Sequence, residues 1–428
     1  MNIELNKFSN EFELSPTLAA NETVLRLRDK GKPIIHMGFG QAPFPVPERI
    51  KKALCDNAYN NKYLPALGLE ELRDTILHYY NGLVGIDPDK YQVITAPGSK
   101  LILYGLQMAV KGDLLMPVPS WVSYAPQARM LGDEVIRVPT KLDDAGYHIG
   151  ADQLKEIIIS ARARGLNPTK IILNYPSNPT GLTISDNDLK EIAEICIEEN
   201  ILIISDEIYG LVSFDGEYRS ISKYAPDNTV ISSGLSKHLS LGGWRFGFGI
   251  IPKSINGLTD LMQNIASETW SCVPSPVQYA VIEAYKGHED IEKYIKDCCD
   301  IHCFINQYIA KELSRLGVIC PLPQGGFYNY PDFLPYQNEL SNIGIKTSQQ
   351  LSAYLLEEYG LVSLAGASFG AEPQTLTLRL SGCDYDGEKV LNAYQSGKEL
   401  NEQFIIDHAP NVKEAICIFE GFIVNLRK

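Results

Sequence analysis

Between residues 91 and 251, short apolar runs of strand length alternate with amphipathic stretches of helix length, and this alternation narrows the possible folds more than any other feature. Strand-length runs fall at 92–95, 113–116, 134–138, 170–174, 201–205, 229–232 and 245–251. Helical patterns lie between most of them, at 101–111, 124–131, 151–163 and 185–199. Such alternation builds a largely parallel sheet with helices on both faces. The expected class is therefore α/β. At 428 residues the chain exceeds one ordinary core. A helical stretch from about residue 290 and strand candidates at 326–330 and 376–380 imply a second, smaller α+β domain. The expected division is 1–50 for an N-terminal arm and part of the small domain, 51–290 for the large domain, and 291–428 for the small domain with a helical tail. That tail, from about residue 404, reads as one or two amphipathic helices beyond a helix at 389–402.

In open α/β sheets, ligands bind beyond the carboxyl ends of the strands, so the loops there carry the functional reading. After 92–95 comes Pro97-Gly98-Ser99-Lys100, a glycine and a hydroxyl at a helix start, which can cradle a phosphate or simply cap the helix. It lacks the Walker A spacing. Trp121 follows the next strand and can stack on a flat ring or pack into the core. The loop 174–181, NYPSNPTG, is stiffened by two prolines and a glycine, which aims Asn178. Asp206 ends the apolar run ILIIS, where a carboxylate is costly unless paired or hydrogen-bonded, and Tyr209 lies three residues on. Finally, SSGLSKHLSLGGWRFGFG at 232–249 presents Lys237 after Ser236 and ahead of Arg245. A lone lysine is ordinarily a solvated charge, but apolar company lowers its pKa toward nucleophilic use. A lysine for a Schiff base, a carboxylate for a pyridine nitrogen, a stacking aromatic and a phosphate cradle together answer the needs of pyridoxal 5′-phosphate.

NYPSNPTG, SDEIYG and SGLSKHLSLGGWRFGFG resemble the motif set of the class I/II, fold type I aminotransferases, the aspartate aminotransferase superfamily. GQAPFPVP, YLPALGLEELR, PQGGFY at 323–328 and ASFG…LRLSG at 367–382 extend the likeness over residues 33–395. The resemblance implies a fold type I enzyme moving an amino group from an L-amino acid to a 2-oxo acid. It implies that Lys237 forms the aldimine and shuttles the proton, and that Asp206 holds the pyridine nitrogen protonated. Tyr209 and Asn178 would bond the phenolic oxygen, and Trp121 would stack on the ring. Ser99, the Lys100 amide, Ser236 and Arg245 would hold the phosphate; Arg379 would clamp the substrate α-carboxylate near Gly40. Tyr63, in a YxPxxG loop, would reach the phosphate of a neighbouring subunit, which implies a homodimer. Many relatives carry a hydroxyl residue three positions before the lysine, where this chain has Gly234. The motifs fix an α-carbanion and not its fate, so a carbon–sulfur lyase, an aminocyclopropane carboxylate synthase-like enzyme or a cyclase stays an alternative, with a non-catalytic regulator more remote.

A net charge of −14 argues against nucleic acid as partner. The first residues, MNIELNKFSNEFELS, show no signal pattern, and no apolar run approaches membrane-spanning length. Nine scattered cysteines do not form a disulfide framework. Cys298, Cys299 and Cys303 beside His302 read as buried thiols rather than metal ligands. A cytoplasmic setting is expected. Phe39, Phe44, Tyr124 and Phe369 are expected near the entrance, where they suit an apolar side chain; no second cation for an acidic one is assignable.

Overall fold

The computed structural model describes residues 14–428; residues 1–13, the start of the expected N-terminal arm, lie outside the described residues. Seven strands form the central sheet: β1 (Tyr91–Ala96), β2 (Asp113–Val118), β3 (Val135–Pro139), β4 (Pro168–Asn174), β5 (Leu202–Asp206), β6 (Thr229–Gly234) and β7 (Gly247–Pro252). Their order is β1-β7-β6-β5-β4-β2-β3. Strands β2 to β6 pair in parallel, while β7 runs antiparallel to both β1 and β6.

The reversal at β7 has a local cause. The link 235–246 holds only a 3₁₀ turn at Gly242–Trp244 and no helix to carry the chain back across the sheet, so the next strand returns antiparallel. The sequence places this strand at 245–251; it starts instead at Gly247, because Arg245 adopts a left-handed conformation (φ 55°) that closes the turn.

Side chains alternate across the sheet as strand geometry requires. Ile172, Ile204 and Val230 face the helices Ser99–Ala109 and Leu258–Thr269, whereas Ile171, Leu173 and Ile203 face Ala151–Ala163 and Asp186–Glu198. The chain after residue 288 contributes the long helix Glu289–Arg315 and a three-stranded antiparallel sheet, β8 (Tyr328–Asn329), β9 (Leu364–Ala365) and β10 (Leu378–Ser381), in the order β8-β10-β9. Ile35–His36 pairs in parallel with Leu361–Val362. The helix expected at 389–402 runs Gly387–Gln395 and stops before Gly397, whose φ is +87°. The tail forms the helices Glu402–His408 and Pro410–Leu426, and the second buries Phe419 and Phe422 against Phe333. No helix among the described residues is long and apolar enough to cross a membrane.

Three backbone segments meet closely behind the loops. Gly234 on β6 lies opposite Gly247 on β7, and a Cβ at Gly234 would stand 2.6 Å from the Phe246 carbonyl oxygen. At Gly247 a Cβ would stand 2.1 Å from the Ser99 amide nitrogen. The glycine in place of a hydroxyl residue is thus a packing requirement of this chain. Gly234→Ser is expected to destabilise the protein by roughly 1–3 kcal/mol, as overpacking does. Urea denaturation checks it: the midpoint falls at unchanged slope, and an unchanged midpoint would show that the strand end yields freely.

Candidate active site

The strand ends and loops enclose a cavity of about 490 Å³. Gly40, Ser99, Lys100, Trp121, Asn178, Asp206, Tyr209, Ser236, Lys237, Arg245 and Arg379 all line it. Tyr63 does not; it stands 89% exposed on the surface of this chain.

Asp206 closes β5 at the cavity floor and is only 3% exposed. Its Oδ2 accepts from the Tyr124 hydroxyl at 2.5 Å, and its Oδ1 has no hydrogen-bond partner among the described residues. Burial pushes this carboxyl up to about 6, against the pull of Tyr124 and of the backbone near Ile208. Asn174, at the end of β4, donates to the Asp206 carbonyl oxygen at 2.8 Å and accepts from the Asn178 amide at 2.8 Å. One side chain thereby ties two site loops together. Glu207, next along, is buried among hydroxyls: Ser205 at 2.8 Å, Ser220 at 2.6 Å and Tyr218 at 2.9 Å donate to it, and burial raises it to about 7.

Lys237 opens onto the cavity but is surrounded by protein. Its Nζ donates to the Gly40 carbonyl oxygen at 3.0 Å and lies 5.5 Å from the ring centres of both Tyr209 and Phe327. Burial first, and the Arg379 charge second, bring its pKa down to about 8. Arg379, only 1% exposed, donates from Nη1 to Asn178 Oδ1 at 3.2 Å and from Nη2 to the Gly38 carbonyl at 2.5 Å. Its guanidinium sits between the rings of Tyr328 (4.6 Å) and Phe369 (5.2 Å), while its Nε has no partner among the described residues.

On the other side, Ser99 and Lys100 begin the helix Ser99–Ala109, and as its first residues their N–H groups have no intrahelical acceptors. Gly98 precedes it at φ +93°, and a Cβ there would stand 2.1 Å from Arg245 Nη2. Arg245 is held against Gly242 and Pro97 carbonyls at 2.9 and 3.2 Å, next to Ser236 in the cavity wall. Trp121 stands edge-on to Tyr124, with the Lys100 ammonium 5.1 Å from its ring centre. The helix Pro16–Asp29 adds Thr17 and Leu18 to the rim.

Several functional neighbours went unassigned from sequence. Tyr124, expected at the entrance, lies deep and bonds Asp206. Asn174, Glu207 and Tyr328 had no role, although Asn174 sits inside NYPSNPTG and Tyr328 inside PQGGFY. Of the other aromatics, Phe39 lines the cavity, Phe369 lies under Arg379, and Phe44 is turned into the core against His302 and Tyr385. Phe44 is thereby removed from any part at the entrance, because burial against those rings satisfies it.

These residues fit pyridoxal 5′-phosphate. The unpartnered Asp206 Oδ1 suits a ring that brings its own N–H, the helix start with Ser99, Ser236 and Arg245 suits a phosphate, and a lysine of lowered pKa stands between them.

The aminotransferase class I and II family model matches residues 32–396. An asparagine–oxo-acid transaminase of Streptococcus mutans is 30% identical over 411 residues, 91% of this chain and 98% of that protein. An aspartate aminotransferase of Geobacillus stearothermophilus is 33% identical over 367 residues, 83% of this chain and 89% of that protein. In structure, an aspartate aminotransferase of Thermus thermophilus with maleate superposes with a TM-score of 0.82 over 97% of this chain and all of that one, at 24% identity, which establishes the fold.

Two outcomes follow from the charges. The rate at which cofactor-stripped protein takes up pyridoxal 5′-phosphate, followed by absorbance, should rise with pH around a midpoint near 8 instead of 10.5. A midpoint above 10 would contradict the burial of Lys237. Asp206 titrates near 6 when folded against 3.8 unfolded, so its ionisation costs stability as pH rises through 6. Asp206→Asn should therefore raise the melting point of stripped protein at pH 8 by the equivalent of roughly 1–3 kcal/mol. The gain should shrink toward pH 4, and thermal scans at pH 5 and 8 would reveal its absence.

Proposed function

This chain belongs to the aminotransferase class I and II family and transfers an amino group between an amino acid and a 2-oxo acid; from that premise we propose that its donor is aspartate or asparagine. The observation that carries the choice is a cation in the cavity besides Lys237, Arg245 and Arg379. Arg245 lies at the phosphate cradle and Arg379 at the α-carboxylate position, which leaves Lys100 Nζ, beside Trp121, to face a substrate side chain. Lys100 is an exposed residue whose pKa partial burial and the Arg245 charge lower, so an incoming carboxylate would add a partner to an otherwise water-solvated ammonium. The aspartate and asparagine transaminases among the relatives agree with a short polar side chain.

When bound, pyridoxal 5′-phosphate supplies an electron-withdrawing ring that takes up the electron pair left by the departing α-proton. The chain's own residues do the rest in this reading. The Asp206 carboxylate keeps the ring nitrogen protonated, and Trp121 covers one ring face. Ser99, the Lys100 amide, Ser236 and Arg245 fix the phosphate. Arg379 presents its guanidinium to the α-carboxylate, in the orientation set by Asn178 and Gly38. Lys237 Nζ, near pKa 8, is partly unprotonated at neutral pH, so it can accept a proton from the α-carbon side and return it. Tyr209 and Asn178 address the ring oxygen. Tyr63, too exposed to serve its own cavity, would complete that of a second copy in a homodimer in the cytoplasm.

Lys237→Ala should abolish turnover together with the yellow absorbance of the bound cofactor; full activity without Lys237 would remove the assignment. A panel of amino donors with 2-oxoglutarate and pyruvate as acceptors tests the substrate. Lys100→Met should raise KM for aspartate about 10- to 100-fold, the size of a hydrogen bond to a charged group, and leave aliphatic donors unaffected. Equal losses on every donor would place Lys100 outside substrate recognition.

A further inference from the structure

Tyr328 has no role so far, yet it touches three site residues, Arg379, Tyr209 and Gly40. It sits on β8 opposite Ser381 of β10, two residues from Arg379 along the same strand face. Its ring underlies the Arg379 guanidinium at 4.6 Å. Its hydroxyl lies 2.8 Å from that of Tyr209, with the two rings edge to face. A Cβ at Gly40 would stand 1.9 Å from the same hydroxyl, so the phenol is pressed against the residue whose carbonyl accepts from Lys237. It is 1% exposed.

The proton count of the tyrosine pair is restrictive. Burial raises both phenols, so each is neutral and carries one proton. In a single hydrogen bond between two hydroxyls one donates and the other accepts. If Tyr209 turns its proton toward the ring oxygen of the cofactor, it must accept from Tyr328. Among the described residues the Tyr328 hydroxyl has no hydrogen-bond partner besides Tyr209.

We propose that Tyr328 is a positioning residue that donates to the Tyr209 hydroxyl, committing the Tyr209 proton to the cofactor's ring oxygen, while its ring supports the Arg379 guanidinium. The proposal rests on the reading of Tyr209 given above. It makes Tyr328 the joint between the proton-handling side of the site and the carboxylate clamp.

Tyr328→Phe keeps the ring and removes only the donor. In the holoenzyme, the pH midpoint of the bound cofactor's absorbance change should rise by about half a unit to one unit, the worth of one hydrogen bond. The kcat should fall about three- to ten-fold with KM for the amino donor within about two-fold. Tyr209→Phe should move the midpoint the same way, and adding Tyr328→Phe to it should move it no further. Tyr328→Leu, which removes the ring as well, should raise KM for the donor. If Tyr209→Phe shifts the midpoint and Tyr328→Phe does not, or if Tyr328→Phe shifts it equally in both backgrounds, the positioning role is overturned while the Tyr209 reading stands. If Tyr209→Phe itself leaves the midpoint in place, the Tyr209 reading falls and takes this proposal with it. An unchanged KM in Tyr328→Leu overturns the support of Arg379.

Discussion

The site depends on holding three charged groups inside protein without letting them neutralise one another. Burial of a charge is tolerated only when hydrogen bonds replace its water. Here the replacements are neutral: Tyr124 for Asp206, the Gly40 carbonyl for Lys237, and Asn178, Gly38 and two aromatic rings for Arg379. Among the described residues no ion pair joins any of the three to an opposite charge. Each therefore stays weakly compensated and aimed into one cavity, with burial as the first influence on its ionisation. An ion pair between Asp206 and Lys237 would have been a more comfortable interior and a poorer enzyme, since both groups would then have to be pried apart before meeting a ligand. Fixed, under-compensated polarity of this kind is what electrostatic preorganisation means.

That arrangement needs a rigid support, and the support lies behind the cavity. Asn174 joins the ends of β4 and β5 to the Asn178 loop, while Glu207, alternating with Asp206 along the chain, is anchored on the far side by hydroxyls. The two adjacent carboxyls have opposite tasks set by their surroundings: Asp206 retains an oxygen without a partner, and Glu207 has hydroxyl donors on both of its oxygens. Gly234, Gly247 and Gly98 let two strands, a helix start and Arg245 approach at backbone distance. Any side chain there would separate the lysine loop from the helix start at Ser99. Stability is given up at Asp206 and rigidity is kept around it, the usual pattern where function overrides local comfort.

Much of this was legible in the sequence because it is periodic or concentrated. The strand–helix alternation survives as β1 to β6, with the helices at 124–131 and 151–163 matching residue for residue. The site residues on the strand-end loops could be named since each sits in a short motif with its own chemistry. What could not be read depends on neighbours distant in the chain. The direction of β7 follows from a missing crossover, and the hairpin Lys141–Asp143 with Gly146–His148 carries too few residues to show a period. Gly234 reads in sequence as a lost hydroxyl, and only the approach of Phe246 and Gly247 in space gives it a packing role. Tyr124 and Tyr328 are aromatic residues by sequence and hydrogen-bond partners only by position, 82 and 119 residues from the groups they touch.

The balance of charge in the cavity bears on the substrate more than the overall acidity does. The chain carries a net −14, yet the cavity collects Lys100, Lys237, Arg245 and Arg379 against a single carboxylate, Asp206. Local fields are set by nearby groups, and low-dielectric walls strengthen them. In the proposed reading a phosphate would answer Arg245 and an α-carboxylate would answer Arg379, while Lys237 needs no anion once it is neutral. An apolar substrate would then leave the exposed Lys100 ammonium to water, whereas an acidic or amide side chain would give it a partner beside Trp121. Phe39 and Leu18 at the rim would then shield that pairing from water, so aromatic residues there do not by themselves call for an apolar side chain.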